Sequence, residues 1–473
     1  MYIGGLDIGT SGCKITIYDE RGNFVENHYK EYSSLHNGCE HEIDAKDIIK
    51  AVKIVITETD NKPEFLGVTS FGETFVLVGE DDKVLCNSML YTDNRGEEEG
   101  KLFDSSMVKN IAYCFPHGMY TIPKLMWVKN NRPEVFQKVK YVFLIQDFVM
   151  YILTGNRCID YSLAARTMGF DIEKKEWSKD IFIFAGIDIS LMSEPVPSGS
   201  VVGKSDKFGL YNTTIIAGCH DQVASAIGAG AFNENIAVDG SGSVECITPV
   251  LNTLPNNTDI CDSGFAFVPF IGDKYVCYAF SFTGGTALKW FKDNFATDQS
   301  YADLDSKAEG KIGTILTMPH FSGAATPYMD ISSKALFYGI TLDSTRIDLY
   351  RSIMEGVAYE MKINIDHLSQ YDIKIDKMLA TGGGSKSRVW LQIKADICNV
   401  PITVIDAKEV GTLGTIMMVA YTAGICKNIE ESKKIFVNEG ETYYPNKINA
   451  DNYKKMYEQY KHIYSSTINW RGN

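Results

Sequence analysis

The chain has 473 residues, 45% of them hydrophobic and 22% charged, with a formal net charge of −14. That length exceeds what one hydrophobic core supports, so two domains are expected. The acidic balance excludes general nucleic-acid binding, no apolar run reaches the ~18–20 residues of a membrane helix, and no signal peptide is read.

In chain order, residues 2–8 read as a strand, and the alternation of Ile15 and Ile17 with Lys14 and Thr16 predicts a second strand, with a third from residue 24. Between the first two lies a loop of Gly9, Thr10, Ser11 and Gly12. Its glycines let backbone approach a phosphate, its amides and hydroxyls can donate to the oxygens, and Asp7 is placed to hold Mg²⁺ through water. The same residues would also make a plain hairpin turn with an incidental aspartate.

Glu73, in "SFGETF", can accept from two substrate hydroxyls or stand as an exposed turn residue. In "LYTDNRG", Asp93 and Arg95 make a polar fork able to grip vicinal hydroxyls, or a surface ion pair beside the acidic "GEEEGK". "GSVVGKS" (199–205) is one residue short of a Walker A loop and lacks its strand–loop–helix setting, so it reads as an ordinary turn. In "AGCHDQVASAIGAG", Asp221 falls between an apolar strand and a small-residue helix, where it is a candidate general base or a plain helix cap. Gln222 beside it can donate to a substrate oxygen or hold the carboxylate.

Residues 236–250 repeat the opening pattern: an apolar run, Asp239, then Gly240, Ser241, Gly242 and Ser243, then a resumed strand. Two such hairpins suggest a duplicated architecture whose halves each present one loop to a shared cleft. Gly382, Gly383 and Gly384 follow a third apolar strand and open a helix, where a flat ring or an anion can lie against backbone. Eleven cysteines form no C-x-x-C pair, and several (Cys86, Cys246, Cys277, Cys398) sit in apolar runs. No paired Cys/His spacing points to structural zinc, and a reducing cytoplasm is the expected location.

Together these segments resemble the FGGY family of carbohydrate kinases over essentially the whole chain. Residues 119–131, with Lys124 and Trp127, resemble its first signature, residues 335–355 its second, and residues 409–424 its C-terminal glycine–helix element. The resemblance implies an α/β, two-domain ribonuclease H-like fold of the actin, Hsp70 and hexokinase type, with an interdomain cleft. It implies an N-terminal domain over 1–245 and a C-terminal, nucleotide-binding domain over 246–473, with the final helix (450–468) packing back across the first.

It also implies roles. Asp221 would be the catalytic base and His220 scaffold, with Glu73, Asp93, Arg95, Asp221 and Gln222 on the sugar. Gly383, Gly384 and Ser385, with Gly382, would lie beside adenosine and the α-phosphate, and Gly411 and Gly414 near them. Ser241, Gly242 and the glycine–helix element at Gly284 would serve the nucleotide from the second half, Thr10, Ser11 and Lys14 the γ-phosphate, and Asp7 the Mg²⁺. The implied activity is ATP-dependent phosphorylation of a primary hydroxyl on an open-chain ketose, sugar acid or polyol. No nucleic acid or membrane partner is expected, and a homodimer is one assembly the family uses.

The segment at Phe71, Gly72, Glu73 and Thr74 departs from the Met-His pair of xylulokinases, and it has glycine where glycerol kinases carry an arginine before the glutamate. Two other readings stand beside this one. An actin- or Hsp70-like ATPase leaves the segments at 90–96 and 217–230 unexplained. A sugar-binding pseudokinase has to accommodate both Asp7 and Asp221.

Overall fold

The computed structural model describes residues 1–470 apart from Cys39, Lys311 and Lys408. It divides into two α/β units, neither continuous in sequence. The first comprises Met1–Gly230, Phe267–Val276 and Glu409–Val437, and the second Ala231–Ala266, Cys277–Lys408 and Asn438–Asn473.

In the first unit the alternating apolar positions do form strands: β1 (Tyr2–Ile8), β2 (Gly12–Asp19), β3 (Phe24–Glu31), β4 (Phe65–Ser70), β5 (Val201–Ser205) and β6 (Thr213–His220). They lie in the order β5-β6-β4-β1-β2-β3. β1 and β2 are an antiparallel hairpin with Asp7 opposite Lys14, while β1, β4 and β6 run parallel. Leu6, Ile8, Ile15 and Ile17 are fully buried with Val68 and Ile215, against the Ile48, Val52, Val55 and Ile56 stripe of the Ala45–Glu58 helix. That helix begins where Asp44 accepts from the Lys46 amide. The stretch expected to be a turn at 199–205 contributes edge strand β5 instead, because its Val and Ser residues pair with β6.

The predicted division at residue 245 does not describe these units. The Val410–Thr422 helix belongs to the first because it meets the Asp221–Gly228 helix almost backbone to backbone. A Cβ placed on Gly414 would stand 1.8 Å from the Ala224 carbonyl oxygen, and one on Gly228 would stand 1.9 Å from that of Val410. Only glycine at both positions permits this approach.

The main sheet of the second unit has five strands wholly within that unit: β7 (Ile236–Ser241), β8 (Glu245–Leu251), β9 (Lys377–Gly382), β10 (Ile402–Ile405) and β11 (Glu439–Tyr443). They neighbour one another in the order β8-β7-β9-β10-β11. Here too a hairpin, β7–β8, has its first strand running parallel to a later one, β9. The segment 450–468, read as one helix packing across the first domain, forms the end of a Lys447–Tyr460 helix and a short Ile463–Thr467 helix, and the first of these packs within the second unit. Tyr453, Tyr457 and Tyr460 join a core with Tyr350, Tyr359 and Trp390. Their hydroxyls donate to Glu355 (2.8 Å), Asp366 (2.8 Å) and Glu360 (2.5 Å) on the Arg346–Ser369 helix. One tyrosine per helical turn, each finding a carboxylate, holds the helix there.

Among the described residues no helix is long and apolar enough to cross a membrane, and the ten described cysteines are all free. Burial pushes the carboxyl of Asp147, hydrogen-bonded by Ser193 Oγ at 2.6 Å, up to about 8. The folded state therefore holds a proton that the unfolded chain releases near its ordinary value of 3.8, so the stability tied to that proton is fully present below that pH, is lost progressively as pH rises toward about 8, and changes no further above it. Asp147→Asn is expected to remove the part of the Tm decline between about pH 5 and 8 that this proton causes; an identical change in variant and wild type in thermal melts at both pH values would refute this.

Candidate active site

β6 ends at His220, and the Asp221–Gly228 helix starts at the next residue, so Asp221 stands in the first turn at the positive end of the helix. Its Oδ1 accepts from the Gln222 amide at 2.6 Å. Its side chain is 43% exposed, open to a ligand yet ringed by protein, and burial pushes its carboxyl up to about 6 against the pull of the Gln222 amide and Arg166. The His220 ring, 3.3 Å from Asp221, is buried so deeply that its pKa falls to about 3. It is a neutral wall of the site, and Gln222 lies half-buried beside it.

Glu73 is buried on the turn after β4, in the left-handed region at φ 62°, a conformation costing a non-glycine residue on the order of 1 kcal/mol. Two contacts hold it there: Thr121 Oγ1 donates to its carbonyl at 2.7 Å, and Arg166 Nε donates to its carboxylate at 2.6 Å. Arg166 lies over the Tyr120 ring, 5.1 Å from its centroid. Tyr91, 43% exposed, completes the group, its phenol pushed up by burial and by the charges of Glu73 and Asp221. Sequence reasoning missed Tyr91 and Arg166. Tyr91 heads the "YTDNR" segment and was legible as a ring two residues before the fork; Arg166, 93 residues from Glu73, carries no local signal.

The fork itself is corrected by the structure. Arg95 donates to Asp93 through Nε (2.9 Å) and Nη2 (2.6 Å) and reaches Glu42 at 2.7 Å. The His41 amide donates to the same Asp93 carboxylate at 2.7 Å, and the guanidinium lies 5.3 Å from the centroid of Trp127. With Asp93 2% exposed and the Arg95 side chain 9%, these groups are tied internally rather than offered to vicinal hydroxyls. Lys124, fully buried, donates to the carbonyls of Asp93 and Arg95. The assembly braces the turn that carries Tyr91, closed where the Asp93 amide donates to the Leu90 carbonyl at 3.0 Å.

At the β1–β2 hairpin, burial and the neighbouring Asp221 push the Asp7 carboxyl up to about 7. The turn is closed by Gly9 N–H donating to Gly12 O (2.9 Å), with Thr10 half-buried and Ser11 exposed. Lys14, opposite Asp7, is drawn 2.5 Å from Glu409. Among the described residues no three His, Cys, Asp or Glu side chains gather as a metal nest. Two mutually repelling carboxylates, Asp7 and Asp221, are the donor set on offer, which suits a cation that keeps most of its water.

The second unit holds a cavity of about 620 Å³. Gly242, Gly285, Gly383 and Gly384 line one end, Tyr301 and Asp305 another wall. Of the remaining residues expected at a nucleotide, Gly284 donates its amide to Ser243 O (3.0 Å) and Ser385 donates its hydroxyl to Gly382 O (2.8 Å). The Ser241 hydroxyl is a correction: it is 1% exposed and turned inward, 2.9 Å from Glu245, so it faces no ligand. Gly411 and Gly414 serve the helix contact of the first unit rather than this cavity.

A partly exposed carboxylate at a strand–helix junction and a glycine-lined cavity, on two units that each repeat the hairpin-plus-parallel-strand sheet, define the ribonuclease H-like ATPase fold of the actin and hexokinase type. That pairing of carboxylate and glycine-lined cavity suits a phosphotransferase with an alcohol acceptor. The chain belongs to the FGGY family of carbohydrate kinases: the family's N-terminal domain matches residues 2–228 and its C-terminal domain residues 263–423. It is 29% identical over 482 residues to a xylulose kinase of Staphylococcus epidermidis, covering 98% of this chain and 96% of that one. Two solved structures from Lactobacillus acidophilus, a ligand-bound xylulose kinase and a gluconate kinase, each superpose with a TM-score of 0.92 at 23% identity, covering 98% of both chains. They show the fold.

Proposed function

We propose that the chain transfers the γ-phosphoryl group of ATP to a primary hydroxyl of a neutral open-chain ketose or polyol. The observation that carries this reading is the Asp221 carboxylate, partly exposed, with its pKa pushed up to about 6, beside Glu73 and Tyr91. A base of that strength is ionised at neutral pH and still accepts a proton as a hydroxyl attacks. Tyr91 supplies a donor and an apolar face for the substrate's other hydroxyls, and Glu73, whose Oε1 takes both Arg166 contacts, supplies an acceptor through its second carboxylate oxygen.

The charges around Asp221 favour a neutral substrate over a sugar acid. Asp221, Asp7 and Glu73 are carboxylates, and Arg166 is already paired with Glu73. The relatives named xylulose kinase put pentuloses first in order of test. ATP is read at the glycine-lined cavity of the second unit, its phosphates against the backbone of Gly242, Gly383 and Gly384. Mg²⁺, brought with the nucleotide, would be held by Asp7 through water and would neutralise phosphate charge. Asp221 takes the proton from the attacking hydroxyl, and His220 beside it, neutral because burial lowers its pKa to about 3, adds no positive charge of its own that would weaken the base.

The test is ADP release from MgATP with pentuloses, hexuloses, polyols and aldonates in parallel. Turnover is expected on a ketose or polyol and at least ~100-fold lower kcat/KM on aldonates, since a like charge in such a site costs several kcal/mol. Preferred turnover of an aldonate would refute the charge argument. ATP hydrolysis indifferent to every sugar would favour the actin-like ATPase, and sugar binding without turnover a pseudokinase.

A further inference from the structure

Beneath the cavity of the second unit lies a group of charges that the reaction as described does not use. Lys394 is 1% exposed, on the Arg388–Cys398 helix. Its Nζ donates to both carboxylate oxygens of Asp239 (3.0 Å each), to Glu245 Oε1 (2.6 Å) and to the Ser241 hydroxyl. Asp239 is fully buried and Glu245 2% exposed. Burial and the adjacent Asp239 push the Glu245 carboxyl well above the ordinary range, so it stays protonated and Lys394 balances Asp239 alone. The group is electrically neutral, sealed and fully bonded.

Its position gives it a use. Ser241 and Glu245 are the cross-strand partners that close the β7–β8 hairpin, leaving residues 242–244 as the tip. The tip carbonyls accept from the start of the next glycine element: Gly285 N–H to Gly242 O (2.9 Å), Gly284 N–H to Ser243 O (3.0 Å) and Thr286 Oγ1 to Ser243 O (2.8 Å). On the other flank, a Cβ on Gly382 would stand 2.5 Å from Ser241 O, and one on Gly384 would stand 2.5 Å from Ser241 Cβ. Two glycine segments therefore rest on the hairpin whose base Lys394 grips, and with the hairpin tip they give the cavity four of its lining residues, Gly242, Gly285, Gly383 and Gly384.

We propose that Lys394 is a positioning residue for nucleotide binding: it locks the helix that follows the 382–385 turn to the 241–245 hairpin, and so sets the spacing of the glycine loops. The inference rests on the reading that ATP occupies this cavity. Lys394 touches no ligand. A directional, bidentate grip on Asp239 allows one slide and one rotation of helix against hairpin, whereas an apolar contact in its place would allow several, which is the register-setting use of buried charge.

Lys394→Met alone strands the Asp239 carboxylate in the interior and invites unfolding. Lys394→Met/Asp239→Asn keeps the interior neutral and is the informative variant. The measurements are thermal unfolding, KM for ATP and for the sugar found active, and the Kd for MgADP by titration calorimetry, which needs no turnover. A cooperatively folded double variant is expected to show KM for ATP and Kd for MgADP raised about tenfold or more, with sugar KM within about twofold, because loop displacements well under 1 Å suffice for such losses. A folded double variant whose MgADP affinity stays within about twofold of wild type, or whose ATP and sugar KM rise together, would overturn the proposal. Wild-type protein that binds no MgADP would instead overturn the nucleotide reading beneath it.

Discussion

Asp221→Asn is expected to lower kcat about 1,000-fold while leaving KM for ATP within about threefold, the loss typical of removing a general base that does not hold the nucleotide. The amide keeps the acceptor oxygen that the Gln222 amide uses, so the helix start stays intact. The pH profile carries the sign. Because the base works only when ionised, kcat/KM of the wild type should fall about tenfold per pH unit below about 6 and level off above it. His220, its pKa near 3, is already neutral across that range and cannot supply this limb. A variant that keeps more than about a tenth of wild-type kcat would remove Asp221 from the base role.

Gly414→Ala is the second large effect. The added methyl would meet the Ala224 carbonyl at 1.8 Å and the Gly228 amide nitrogen at 2.8 Å, backbone atoms that no rotamer change can move aside. The cost should reach about 3 kcal/mol, the upper part of the usual overpacking range, with Tm lowered by roughly 5–10 °C. The variant should lose activity too, because the helix pushed away is the one that begins at Asp221. Gly411→Ala, on the same helix three residues earlier, meets the Ser225 hydroxyl at 3.4 Å, Asp7 Oδ2 at 3.8 Å and the Asp221 carbonyl at 3.9 Å, all ordinary contact distances, and should leave Tm within about 2 °C. Equal melting temperatures for the two variants would show that the helices separate at little cost.

The Asp93–Arg95 ion pairs are internal, so under the proposed function their influence on the sugar would pass through Tyr91, which lies in the turn closed by the Asp93 amide on the Leu90 carbonyl. On the proposed reading specificity turns on Glu73, whose left-handed backbone is held by Thr121 at its carbonyl and Arg166 at its carboxylate.

By itself the sequence determined the features that depend on neighbouring residues. The alternation of Ile15 and Ile17 with polar residues made β2, the glycines at 9 and 12 made its turn, and Asp221 fell where an apolar strand gives way to a small-residue helix. These follow from local backbone preferences and side-chain period, which a single stretch of chain already contains. Only the tertiary structure decided the rest. Asp93 and Arg95 look like free ligands until His41 and Glu42, some fifty residues earlier, claim their hydrogen bonds. Ser241 looks like a phosphate donor until Lys394 and Glu245 close over it. The Val410–Thr422 helix joined the first unit through two glycines nearly two hundred residues apart. Whether a polar side chain faces a ligand or the interior depends on which distant partner packing brings within 3 Å, and that is a property of the folded chain alone.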